Sequence, residues 1–133
     1  ETGMRECERL AIEYGLTPIS WPGGWPAESY RVNGARAALA AKWVGRERQL
    51  SRALFHEVFA NGARLDDPAT IVAAARAAGV EKIDEGMAAV KEQLRDVTDD
   101  AIARGVVGVP TVELPDGTLV WGDDRLPEAA AAA

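Results

Sequence analysis

Along most of this chain apolar residues recur every three or four positions, the spacing of helices that bury one face. Residues 4–14 set Met4, Cys7, Leu10, Ala11 and Tyr14 on one side, which reads Cys7 as a small buried residue, and Gly15 closes the segment. An alanine-rich stretch from Ala27 to Val44 carries Tyr30, Ala37, Ala41 and Val44, with Asn33-Gly34 interrupting it and Gly45 marking a break. Residues 46–60 place Leu50, Leu54, Phe55, Val58 and Phe59 on the apolar face of a third helix. Asp66-Asp67-Pro68 is a strong helix start, a capping carboxylate followed by proline at the first helical position, and that helix runs to Ala78 before Gly79. Residues 81–104 repeat Ile83, Met87, Val90, Leu94 and Val97, as one long helix or two with a bend.

The period then changes. Gly105-Val106-Val107-Gly108-Val109-Pro110-Thr111 ends the last long helix in glycine and opens a strand with proline, which forces Val109 into an extended conformation. Thr111–Leu114 and Thr118–Trp121 are β-prone runs joined by Pro115-Asp116-Gly117, a hairpin signal. Asp123-Asp124 can cap a final helix in which Pro127 falls within the first turn. Five or six helices and one hairpin are therefore expected. A lone two-stranded hairpin is marginal in water and needs another strand or a helix face to complete it.

Between the first two helices lies Leu16-Thr17-Pro18-Ile19-Ser20-Trp21-Pro22-Gly23-Gly24-Trp25-Pro26, too rich in proline and glycine for a helix or an inner strand. Trp21 and Trp25 in this stiff connector either cap the core from outside or wall a pocket for a flat or apolar substrate.

Composition narrows the function classes. A chain of 133 residues is one domain with room for a core, and 47% apolar content speaks against disorder. Fifteen basic against 21 acidic residues, a net charge of −6, and the lack of a basic cluster make nucleic acid a poor partner. No apolar run approaches the roughly 20 residues that span a bilayer, so no membrane partner is expected. The single cysteine, Cys7, cannot form an internal disulfide or a Cys-x-x-Cys pair, and the first residues lack the pattern of a signal peptide, which together fit a reducing, cytoplasmic setting.

Few residues carry chemistry on their own. The one histidine, His56, sits off its helix's apolar face and reads as solvated; with one distant cysteine it makes no metal site and no nucleophile–base pair. Ser20, Ser29 and Ser51 lie in no nucleophile-elbow context. At Val109-Pro110 the statistics of X-Pro bonds, about 5–6% cis, favour trans. Gly122-Asp123-Asp124-Arg125, between strand and helix, reads either as a helix cap or as a site for a zwitterion. In the second case helix amides would take a carboxylate and an aspartate an ammonium group.

Together these motifs resemble a known family. The run from Asp100 through Gly108-Val109-Pro110-Thr111, followed by Trp121-Gly122-Asp123-Asp124-Arg125-Leu126, resembles the C-terminal half of the DsbA-like thioredoxin superfamily. The resemblance points to the branch of 2-hydroxychromene-2-carboxylate isomerases and kappa-class glutathione transferases. Trp25-Pro26, Ser29, the alanine-rich helix, Ala53 to Gly62 and Leu65-Asp66-Asp67-Pro68 are similar to that family's helical insertion. The resemblance covers nearly all of residues 4–130.

The resemblance implies an α/β thioredoxin-like fold with a large helical insertion, which in this chain is mostly α with one C-terminal β-hairpin. It makes residues 1–133 a single DsbA-like domain, 4–90 the insertion and 91–133 the thioredoxin-like part, without the family's N-terminal strand–helix–strand unit. Pro110 would be the cis-proline of the fold, against the base rate. Gly108, Val109, Pro110, Asp123 and Asp124 would bind glutathione, Val109 pairing its backbone with the cysteinyl portion and Asp124, with Asp123, holding the γ-glutamyl end. The sequence departs from the transferases at Asp123, where they have serine or another neutral polar residue, and a second carboxylate would repel that of glutathione. In the complete protein an N-terminal serine would stabilise a glutathione thiolate for reversible addition to an unsaturated aromatic substrate walled by Trp21 and Trp25; thiol–disulfide exchange is the second enzymatic option. No catalytic residue falls within this chain, which is expected to be inactive without the missing half. Its implied partners are a small-molecule thiol, an aromatic substrate, and a homodimer mate or a complementing N-terminal chain. The competing reading is a non-catalytic helical module for binding or self-association through the open hairpin edge.

Overall fold

A computed structural model describes residues 2–26 and 32–132. They fall into two compact units, Glu1–Lys91 and Glu92–Ala133. The first unit holds α1 (Thr2–Glu13), α2 (Asn33–Lys42), α3 (Glu47–Phe59), α4 (Pro68–Ala78) and α5 (Ile83–Ala89). The second is built from α6 (Lys91–Ala103), a two-stranded sheet of β1 (Thr111–Glu113) and β2 (Leu119–Trp121), a 3₁₀ turn at Asp123–Arg125 and α7 (Leu126–Ala132). The expected start of the second helix at Ala27, with Ser29 and Tyr30, lies outside the described residues. Among the described residues no helix is long and apolar enough to cross a membrane.

The core of the first unit is a small-residue helix sandwich. Ala37, Ala40 and Ala41 of α2 and Ala74, Ala75 and Ala78 of α4 let the helices approach closely, and Leu50 and Leu54 of α3 fill the space they leave. Leu50 and Val90 are fully buried, and each such side chain contributes about 1.5–3 kcal/mol of burial. Helix α4 begins as its sequence dictates: Asp67 accepts the Ala69 N–H at 2.9 Å, Pro68 is its first residue, and Gly79 closes it in the left-handed conformation. Residues 81–104 form two helices, with buried Val90 at the break between α5 and α6.

Expectations about burial are corrected at several positions, Val44 and Val97 among them, which are 62% and 49% exposed. Cys7 is exposed, because among its described side chains α1 buries Ala11 alone and turns the rest of its apolar side toward an open groove; Tyr14, just past the helix, is 69% exposed. Phe55, expected in the core with Leu50, Leu54 and Val58, is 64% exposed. It lies one position beyond the i, i+4, i+8 row that α3 buries, and its ring lies over Phe59 instead.

In the second unit β1 and β2 pair antiparallel, with Thr111 opposite Trp121 and Glu113 opposite Leu119. The strands are shorter than the β-prone runs, since Leu114 to Thr118 form the connecting loop. There the Leu114 N–H donates to the Thr118 carbonyl at 2.9 Å and the Asp116 carboxylate accepts the Thr118 N–H at 2.9 Å. Thr118 lowers the Asp116 pKa through that backbone hydrogen bond. Among the described residues of this unit the buried side chains are Val120 and Ala129, and Arg104, at the end of α6, forms an ion pair with Glu113 of β1. Asp123 and Asp124 do not cap α7 directly. They occupy the 3₁₀ turn before it, and Pro127 is the second residue of α7, inside its first turn.

Candidate functional site

The structure assembles the sequence's candidate residues into two clusters, one in each unit. In the second unit the turn from Gly105 to Thr111 brings Gly108, Val109 and Pro110 against the end of β2. Gly108 leaves room for the Trp121 indole, since a Cβ there would stand 2.8 Å from Nε1 and 3.2 Å from Cε2. The Thr111 hydroxyl donates to the Gly108 carbonyl at 2.5 Å and ties the turn to the start of β1. The Val109–Pro110 peptide is cis. The Gly122 N–H donates to the Pro110 carbonyl at 3.0 Å, which fastens the Asp123–Asp124 turn beside the proline. Gly122 is held at φ 114° and ψ 146°, a region open essentially to glycine, and any Cβ there would run into the Asp124 carboxylate.

This cluster has open valences. Val109 is 83% exposed, and neither its N–H nor its carbonyl is engaged by a hydrogen bond among the described residues. Asp123 and Asp124 are both exposed, while Arg125 is committed to Glu128 through two hydrogen bonds of 2.8 and 2.6 Å. An extended backbone edge and two carboxylates thus stand around one turn. They suit a ligand with a peptide-like portion and a cationic group.

In the first unit the connector presents Trp21 and Trp25 side by side, ring centroids 5.8 Å apart, each meeting Phe59 edge-on at 5.7 and 5.2 Å. The connector is fixed at several points. The Ser20 N–H donates to the Phe59 carbonyl at 2.7 Å, and Arg64, itself bound to the Asp66 carboxylate at 2.9 and 2.7 Å, donates to the Gly23 carbonyl at 2.8 Å. The Trp21 indole N–H donates to Glu8 of α1 at 2.7 Å. Between α1, the connector and α3 these rings wall an apolar groove of about 820 Å³, and a second hollow of about 340 Å³ adjoins it past Trp25, Phe55 and Phe59. A groove of that size accepts a small organic molecule. The tryptophans thus wall a groove.

Sequence reasoning missed Phe55 and Phe59 as groove walls and Glu8 as the anchor of Trp21. The two phenylalanines, four apart on one helix, carried a signal for a shared face; Glu8 carried none. Among the described residues no group of three or more His, Cys, Asp or Glu could hold a metal ion.

Comparison with known proteins adds the family context. The chain matches the family described as DSBA-like thioredoxin domain over residues 2–132. A glutathione S-transferase kappa 2 of Caenorhabditis elegans is 33% identical to it over 91 residues, 61% of this chain and 40% of that protein. The solved structure of a 2-hydroxychromene-2-carboxylate isomerase superposes with a TM-score of 0.74 at 26% identity, covering 97% of this chain and 63% of the isomerase chain. The chain therefore spans less than two thirds of the length of either relative.

Proposed function

Since the chain belongs to the DSBA-like thioredoxin domain family, we propose that it supplies two subsites of a glutathione-dependent enzyme of the isomerase and kappa-transferase type: a peptide-thiol subsite in its second unit and an aromatic-substrate groove in its first. The observation that carries this reading is the open backbone of Val109 beside Pro110, fastened by Gly122 to the Asp123–Asp124 turn. Glutathione is a peptide with an ammonium group at its γ-glutamyl end, and this turn offers a matching edge and matching charge. Its chemistry there would be that of a thiol nucleophile.

The residues of this chain bind and orient. Val109 N–H and C=O pair with the cysteinyl backbone, as one strand edge pairs with another. Gly108 keeps the turn close beneath Trp121 and so fixes where that edge points. Asp124 takes the ammonium group, and Asp123 adds negative charge that weakens the hold on the ligand's carboxylates. Trp21 and Trp25 take an aromatic substrate on their faces. On this reading the group that activates the thiol, a serine or a cysteine pair, comes from a strand–helix–strand segment complementing this chain, and the chain alone is inactive. Thiol–disulfide exchange uses the same thiol subsite, and the complementing segment decides between the two reactions.

Calorimetric titration with glutathione, on the chain alone and on the chain completed with that segment, tests the assignment. Binding in the completed protein supports it. Absence of heat in both overturns it. Self-association through the open edges of the two-stranded sheet is the second reading, because edge strands recruit other strands; sedimentation showing a stable monomer that completes no sheet counts against it.

A further inference from the structure

We propose that His56 receives the acidic substituent of an aromatic ligand seated in the groove of the first unit, and so favours aromatic carboxylates over the corresponding uncharged amides. This rests on the reading of Trp21 and Trp25 as substrate walls and adds to it the residue that decides which way a ligand points.

His56 lies three residues before Phe59 on α3, so the two side chains are neighbours on the helix surface. Phe59 meets both tryptophan rings edge-on at 5.7 and 5.2 Å, and His56 lines the same groove from an exposed position. Among the described residues no lysine, arginine, aspartate or glutamate lines that groove, so His56 is the one lining side chain able to carry a positive charge. The other polar groups along it are neutral: Cys7, Tyr14, Thr17 and the indole N–H of Trp25, which has no partner among the described residues. Neutral donors of this kind serve a carboxylate and an amide alike.

The charges next to the groove act in the same direction. Glu8, half-buried on α1, accepts the Trp21 indole N–H at 2.7 Å, so a ligand carboxylate beside Trp21 finds that donor taken and meets a like charge. Glu57, next to His56 in sequence, is engaged by the Asn61 side-chain amide at 3.0 Å, and Arg9 is held by Glu6 at 2.7 Å and Glu13 at 2.6 Å. Arg52, one turn before His56 on α3, is exposed and adds positive charge on the same helix. A flat acid therefore gains most with its ring against the tryptophans and its carboxylate turned away from Glu8 and toward His56, where it keeps part of its hydration.

The test is calorimetric titration of the full chain at about pH 6 and low ionic strength with 2-naphthoate and 2-naphthamide. The two ligands share a shape and differ in charge, and near that pH carboxyls in general are anionic and imidazoles largely cationic. His56→Gln, which keeps an N–H donor without charge, should weaken naphthoate about three- to fivefold and leave naphthamide within about twofold; the effect is modest because His56 is exposed. His56→Lys, which restores a cation, should bring naphthoate back to within about twofold of the unsubstituted chain. An unchanged naphthoate affinity in His56→Gln, an equal loss for both ligands, or a His56→Lys chain as weak as His56→Gln would overturn the proposal while leaving the tryptophan walls standing. If neither ligand binds, or if Trp25→Ala binds both as the unsubstituted chain does, the reading of the walls falls, and this inference with it.

Discussion

Replacing Gly108 with alanine probes the link between the turn and Trp121. The added Cβ would stand 2.8 Å from the indole Nε1, 3.2 Å from Cε2 and 3.4 Å from Cζ2, so the ring must withdraw by about 0.6 Å to reach ordinary contact. Overpacking of this kind costs about 1–3 kcal/mol, and the lower half of that range applies because Trp121 is 54% exposed and has solvent to move into. Gly108 is not in a left-handed conformation, so alanine also narrows the unfolded ensemble and offsets about 0.4–1 kcal/mol of the cost. The net expectation is a loss of about 1 kcal/mol, or roughly a fivefold fall in protection from amide exchange along β1 and β2. With Trp121→Ala in place the clash is gone and only the entropic gain remains, so the same Gly108→Ala change should raise protection. A double-mutant cycle read by hydrogen exchange at Val112 and Val120 measures that change of sign. Additive effects, with coupling below about 0.5 kcal/mol, would refute the claim that Gly108 is required by the indole.

Other expectations follow from single contacts. Asp67→Ala removes the carboxylate that accepts the Ala69 N–H and should cost about 1 kcal/mol in urea unfolding followed by circular dichroism; Asp67→Asn or Asp67→Ser should restore most of it. Thr118 depresses the pKa of Asp116, so the aspartate's contribution to the hairpin is fully present above the unfolded aspartate range and is lost as pH falls through the lower, folded value. Amide shifts of the hairpin should therefore show an acid-induced step below about pH 3.9, and Asp116→Asn, which keeps an acceptor, should abolish that step without opening the loop. Persistence of the step in Asp116→Asn would assign it elsewhere. Asp123→Ser removes one of two exposed carboxylates and should tighten glutathione binding by up to about fivefold at low ionic strength, with the gain shrinking as salt is added; weaker binding would mean that Asp123 is an attractive contact.

Elements whose signals are local were legible in the sequence. The cap, proline and glycine of α4 and the β-runs on either side of Asp116-Gly117 each depend on residues within a few positions, and each forms where its signal lies. The family was legible for a related reason: the Gly-Val-Pro turn and the Trp-Gly-Asp-Asp-Arg run match a pattern as a pair. What depended on which face meets which neighbour was not legible. Cys7 and Phe55 satisfy the helical period, yet α1 and α3 leave a groove between them instead of closing on it. Glu8 gave no signal at all, because its partner Trp21 lies 13 residues away across a connector whose path periodicity does not describe. The Asp123–Asp124 pair shows a third limit, since a helix cap and a 3₁₀ turn call for the same residue types.

On the proposed reading the Val109–Pro110 edge and the neighbouring Asp124 carboxylate form a glutathione subsite. Its most direct measurement is the heat of glutathione binding to the chain completed with a strand–helix–strand segment, compared with the same protein carrying Asp124→Ala. Saturable binding is expected, and Asp124→Ala should weaken it at least about tenfold through loss of a charge-assisted hydrogen bond. Saturable binding that Asp124→Ala leaves unchanged, or no binding at all, would contradict it.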